Sequence, residues 1–149
     1  MSQRFNIRQI APEGHKAFGP LYQYVESSGL DRRLVDLVFL RVSQINGCSY
    51  CVDLHWRDLV KAGEDQRKLN SLITWKEAPF FSARERAALA WAESLTNIAQ
   101  TGAPDADYAL VKSEFGDKEI ADLTIVIALM NAMNRIGISS RLAPSAQAA

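Results

Sequence analysis

Between Leu123 and Met133 every residue is apolar except Thr124 and Asn131. A helix with apolar side chains on nearly all its faces cannot lie on a surface with one side in water, so this stretch must sit in a core or an interface. Asp117, just after Gly116, reads as the cap that opens it. Asn131, Asn134 and Arg135 fall inside the same segment. Buried polar groups need hydrogen-bond partners, so these three are expected to bond neighbouring helices or a second subunit.

The other elements must therefore be arranged around one buried helix. Apolar spacings of three and four recur through the chain, and the alternating runs of strands do not. The fold class is all-α, a single compact multi-helix domain of about six to seven helices. The first is expected from Pro12, with Phe18, Leu21, Tyr22 and Val25 on one face and Gly29 as its breaker. Asp31 caps the next, whose residues Leu34, Leu37, Val38, Val42 and Ile45 keep helical spacing up to the stop signal Asn46-Gly47. A third helix starts around Cys48 and ends near Ala62-Gly63, and Asp65 opens a short fourth. After a loop from Trp75 to Phe81, Ser82 and Glu85 form a capping box for a long helix with the stripe Ala87, Ala88, Trp91, Leu95 and Ile98. Glu93 lies off that stripe and is expected at the surface. A shorter helix spans Asp105 to Phe115. The expected domain is the whole chain, residues 1–149, with its core at about 12–141 and a short flexible C-terminal tail.

Charge narrows the function. Lys plus Arg and Asp plus Glu number 17 each, with no long single-sign run, so the basic footprint of a nucleic-acid binder is missing. The opening residues lack the apolar run of a signal peptide, and no stretch has the roughly 18 consecutive apolar residues of a membrane span. A cytoplasmic protein with no membrane and no nucleic-acid partner is expected. Two cysteines three positions apart are a poor scaffold for a secreted protein, but suit redox or metal chemistry in a reducing compartment.

That pair is Cys48 and Cys51, followed by His55. On a helix, offsets of three, four and seven place two sulfurs and an imidazole on one face. His55 can take the proton of Cys51, directly or through a water, and the free N–H groups of the first turn favour a thiolate. A thiolate that attacks a peroxide becomes a sulfenic acid, which the second thiol of a C-x-x-C pair can condense with. Cys51, deeper in the helix and nearer His55, is assigned as attacker and Cys48 as resolver. Two other readings stand beside this one: a zinc site of Cys48, Cys51 and His55 with Asp36 as fourth ligand, and a pair of inert core cysteines. A thioredoxin reading needs a strand-helix-strand context, which the neighbouring segments do not supply.

The run Leu40 to His55, with Trp75 to Phe80, Ser82 to Thr96 and Asn131 to Arg141, resembles the alkyl hydroperoxidase D (AhpD) proteins of the carboxymuconolactone decarboxylase family. The resemblance implies a helical fold assembled as a trimer or hexamer, and a peroxidase or disulfide-reductase site without a cofactor or metal. It also implies a carboxylate twelve residues before the first cysteine, joined to the histidine in a proton relay. The family's usual residue there is Glu; this chain has Asp36. The decarboxylase branch does not employ the cysteine pair, so the motif argues against a lactone decarboxylase.

The expected function is that of a peroxiredoxin-type, thiol-dependent oxidoreductase. It would reduce a hydroperoxide through a Cys48–Cys51 disulfide with a His55/Asp36 relay, and be reset by a thiol or lipoyl-type protein donor. The alternatives are a disulfide reductase or adaptor passing electrons to a protein partner, and a non-enzymatic redox-sensing or metal-binding helical module. Tyr50, Trp56, Trp75, Phe80 and Phe81 are expected to be core or interface aromatics.

Overall fold

The computed structural model of the chain describes residues 2–145, all helix, turn and loop. In chain order the helices are α1 (Ile7–Ile10), α2 (Pro12–Lys16), α3 (Phe18–Ser27), α4 (Arg32–Asn46), α5 (Ser49–Lys61), α6 (Gln66–Asn70), α7 (Ala83–Thr96), α8 (Ile98–Thr101), α9 (Asp105–Lys112) and α10 (Asp117–Ser140), with a 3-10 turn at Ser71–Thr74. These exceed the expected six to seven because short pieces separate from longer helices. The helix expected from Pro12 is divided at Ala17, and the long helix stops at Thr96. Ile98, expected on its stripe, falls in the separate turn α8 and is 54% exposed.

The apolar stretch behaves as its composition demands. Leu123, Val126, Ile127, Leu129 and Met130 of α10 are buried, and the helix packs on α3, α4, α5, α7 and α9. By length and composition α10 could cross a membrane, but half of its apolar window is already covered by the protein itself. Its cap differs from expectation. Gly116 is the N-cap and donates its N–H to Glu119 Oε2 at 3.0 Å, while Asp117 is the first helical residue.

Helix α4 is the second central element, packed against α5, α7 and α10. Its opposite faces enter two apolar clusters. Val35, Val38 and Val42 join α10 and α7 residues, whereas Leu37 and Leu40 join Leu59, Leu69, Leu72, Trp75 and Phe81. The sequence caps hold where Asp31 accepts from Leu34 N, Asp65 from Arg67 N, and Ser82 and Glu85 form the capping box.

The asparagines of α10 find their partners on α4. Asn46 Nδ2 donates to Asn131 Oδ1 (3.0 Å) and Asn134 Oδ1 (2.9 Å), and Asn134 Nδ2 donates to Ser43 Oγ (3.0 Å). Arg135 instead bonds within its own helix, to Asn131. Directional bonds between these amides, of which Asn134 is fully buried, fix the height of one helix against the other, which apolar contacts alone would let slide.

Glu93 is not at the surface. Its Oε1 accepts from Arg41 Nη2 (2.7 Å) and Trp75 Nε1 (2.7 Å), and its Oε2 pairs with Lys76 Nζ (3.0 Å). The loop after the 3-10 turn is thereby tied to α7, and Arg86 reinforces the tie by donating to the carbonyls of Trp75, Lys76, Ala78 and Phe81. Four cations and donors converge here on one carboxylate and a short loop, a pattern that apolar periodicity does not reveal. Burial of Glu93 would raise its pKa, but hydrogen bonds from Trp75, Lys76 and Arg41 outweigh it and hold the carboxyl below its ordinary value. A depressed carboxyl contributes stability that is present above the unfolded value of about 4.5 and is lost as pH falls through the folded one. Glu93→Gln is therefore expected to cost about 2 kcal/mol at pH 7. In urea titrations across pH, the gap between variant and wild type should close below pH 4.5; a gap that stays constant into acid would show that the charge of Glu93 contributes nothing.

Candidate active site

The site is built where α4 ends and α5 begins. Gly47 ends α4 in the left-handed region (φ 75°), and the N–H groups of Gly47 and Cys48 both return to the Ser43 carbonyl. A side chain at that φ is strained, so glycine allows the sharp reversal that brings Cys48 directly to the next helix start. Cys48 is the N-cap residue of α5 and Cys51 lies in its first turn. The two are joined as a disulfide with Cα atoms 5.4 Å apart.

Helix α10 presses on this bridge through Gly137. A Cβ at that position would lie 3.2 Å from Cys48 Sγ and 3.7 Å from Cys51 Sγ. The absence of a side chain lets the helix backbone cover the sulfurs. In the sequence its signal is an isolated glycine inside a strongly helical pattern.

One turn beyond Cys51, His55 is buried, and Asp36 of α4 faces it with Oδ1 at 3.8 Å from Nδ1. That distance is too long for a direct hydrogen bond. Asp36 Oδ2 accepts from Arg32 Nε at 2.9 Å, but Asp36 Oδ1 and His55 Nδ1 have no hydrogen-bond partner among the described residues. Burial, and then the positive charge of Arg32, pull the His55 pKa down to about 4, so the imidazole is neutral at neutral pH. Burial pushes the Asp36 carboxyl above its ordinary value, against the pull of Arg32. The ring of Phe39 packs 5.0 Å from the imidazole, centroid to centroid, and accounts for part of that dry setting.

Of the four residues singled out from the sequence, Cys48 and Cys51 are joined at the junction of α4 and α5, and His55 and Asp36 face each other farther along the two helices. A cleft of about 630 Å³ opens beside them, between the N-terminal helices, the start of α5 and the C-terminal half of α10. Cys51 and His55 line it, together with Tyr22, Tyr50, Leu54, Met130 and Met133; Cys48 does not. Cys48 is 1% exposed and Cys51 6%, so an incoming molecule meets Cys51 first. Burial and the neighbouring Tyr50 hold the Tyr22 phenol above its ordinary pKa, leaving a neutral hydroxyl beside the cleft. The aromatic expectation holds for Trp75 and Phe81, both in the core, while Trp56 is 37% exposed and Tyr50 lines the cleft.

His55 also borders a smaller cavity of about 230 Å³, shared with Glu26, Arg32, Phe39 and Asp58. Potential ligand atoms of Asp36, His55 and Asp58 all lie within 4.8 Å of one another. Asp58 is three residues from His55 on α5, a spacing that places it on the same helix face. The Cys2His zinc reading is not the arrangement seen, since both sulfurs are committed to the disulfide.

Comparison with known proteins gives the family. Residues 12–94 match the carboxymuconolactone decarboxylase family. YdfG, an uncharacterized protein of Bacillus subtilis, is 37% identical over 139 residues, covering 93% of this chain and 95% of its own. The crystal structure of an Agrobacterium tumefaciens protein of unknown function, described as an antioxidant defence protein AhpD, superposes with a TM-score of 0.94 at 39% identity, over 97% of this chain and 99% of its own. The alkyl hydroperoxide reductase AhpD of Coxiella burnetii is 37% identical over 49 residues, 33% of this chain and 28% of that protein. With its helical fold and its paired cysteines, the chain belongs to the carboxymuconolactone decarboxylase family, and within it to the AhpD-like proteins.

Proposed function

We propose that this protein reduces hydroperoxides with its cysteine pair. The observation that carries the reading is the placement of Cys51, the cysteine of the pair that lines the cleft, on the same cleft as a neutral buried His55. In the reduced protein His55 accepts the Cys51 proton, and the Cys51 thiolate attacks the outer peroxide oxygen. The O–O bond breaks, an alcohol leaves with the proton, and Cys51 becomes a sulfenic acid. The Cys48 thiol then attacks that sulfur, releasing water and closing the disulfide seen here. Two thiols of a donor restore the pair and leave as a disulfide.

Asp36 stands behind His55 and stabilises the imidazolium formed in passing; the 3.8 Å gap calls for a water, or for a small shift of either side chain. Arg32 orients the carboxylate by holding its other oxygen. The low exposure of Cys51 also favours a small thiol, or the reduced dithiol of a lipoyl-type arm, over direct contact with a folded partner as the donor. Assembly into a trimer or hexamer belongs to the same reading.

Stopped-flow oxidation of the reduced protein by hydrogen peroxide and by a bulky organic hydroperoxide tests it. Cys51→Ser should abolish fast oxidation, and Cys48→Ser should keep the first step but accumulate sulfenic acid. His55→Ala should slow the first step by about a hundredfold or more. Wild-type oxidation no faster than that of a free thiol would move the function to disulfide exchange.

The shortened carboxylate generates a separate expectation. Asp36→Asn should lower the oxidation rate by about tenfold. Asp36→Glu, long enough to touch Nδ1, should retain or raise it; equal loss in both would assign Asp36 to folding rather than to the relay.

A further inference from the structure

We propose that Asp36, His55 and Asp58 form a binding site for a divalent transition-metal ion, of which zinc is the probe. His55 and Asp58 line the smaller cavity, Asp36 lies behind His55, and the site uses neither cysteine.

Asp36 and His55 are 4% and 6% exposed, yet Asp36 Oδ1 and His55 Nδ1, which face each other, have no hydrogen-bond partner among the described residues. Two such buried groups call for a shared partner. One cation between them satisfies both.

Geometry and charge agree. Zinc holds imidazole nitrogen and carboxylate oxygen at about 2.0–2.2 Å in a tetrahedron, which sets two ligand atoms on one ion roughly 3.3–3.6 Å apart. The 3.8 Å between Oδ1 and Nδ1 is within a few tenths of an ångström of that spacing. Asp58, its ligand oxygen within 4.8 Å of the other two, is only partly buried and closes on the ion by a change of side-chain rotamer. Arg32 is the unfavourable neighbour, but it is bonded to the other oxygen of Asp36 and paired with Glu26 at 3.3 Å. Three carboxylates, Asp36, Asp58 and Glu26, face one guanidinium, a formal balance of minus two beside a neutral imidazole. One histidine and two carboxylates with room for water in the cavity make a donor set that borderline divalent ions accept.

An ion there would hold the nitrogen and carboxylate that the proposed relay uses, so metal and proton transfer would compete for His55. The binding itself does not depend on the peroxidase reading. The test is equilibrium dialysis of the fully oxidised protein against buffered zinc, because the disulfide keeps both sulfurs out of the donor set. One zinc per chain is expected, with affinity reduced about tenfold or more in Asp58→Asn and abolished in His55→Ala, each checked for wild-type helicity by circular dichroism. His15→Ala, which removes the other histidine, should bind as wild type. No binding up to about 100 µM free zinc, or binding unchanged in Asp58→Asn, or lost in His15→Ala, would overturn the site.

Discussion

The position of the disulfide depends on the clasp between α4 and α10. Asn46 reaches from the last turn of α4 to two asparagines of α10, and Asn134 returns a bond to Ser43. Gly137 is one turn beyond Asn134 in its helix, and Gly47 and Cys48 follow Asn46 directly. The amide bonds that set the height of α10 therefore also set which residue meets the sulfurs. Shifting α10 by one residue would bring a side chain where the backbone of Gly137 now passes within contact of Cys48. Apolar burial supplies most of the driving force for this packing, but it is indifferent to such small slides; the buried amides are not.

The same region carries groups that a purely structural core would exclude. A neutral histidine, a buried carboxylate and two unpaired polar atoms lie between α4 and α5, next to Phe39. Each costs stability that apolar residues of similar size would not. Their surroundings make up the difference. The valines and leucines of α4 on both sides of Asp36 are almost wholly buried, so the helix that bears the carboxylate is held by two apolar clusters at once. A reactive junction can be tolerated there because the elements that form it are fixed elsewhere.

Much of this was legible in the sequence because it rested on local rules. Helical spacing gave the all-α class, Asn46-Gly47 gave the end of α4, and Ser82 with Glu85 gave the start of α7. The offset of four puts Cys51 and His55 on the cleft side of α5 for the same reason, whereas Cys48 is the extended N-cap before the helix and lies off the cleft wall. Asp36 came from a family resemblance, since no local rule says which residue of a preceding helix will face a given histidine. Glu93, Gly137 and Asp58 were not legible as partners, because their roles depend on helices meeting across long separations in the chain. Ile98 was misplaced because its spacing continues the stripe of α7, while the turn at Asn97 redirects the backbone.

The two sulfurs are unequal for a reason that the backbone supplies. Cys48 precedes the first turn of α5 and lies beneath Gly137, whereas Cys51 is carried by that turn toward the cleft that Tyr22, Tyr50 and Met133 enclose. Cys51 can be approached from the cleft, and Cys48 is not on its wall. In the proposed cycle, peroxide and reducing thiol therefore both begin at Cys51. Cys48 is then the group that leaves or closes out of solvent, near the free N–H groups of the helix start, which stabilise negative charge on sulfur. A helix start covered by a glycine thus places one sulfur on the cleft wall and the other behind it within a single four-residue segment.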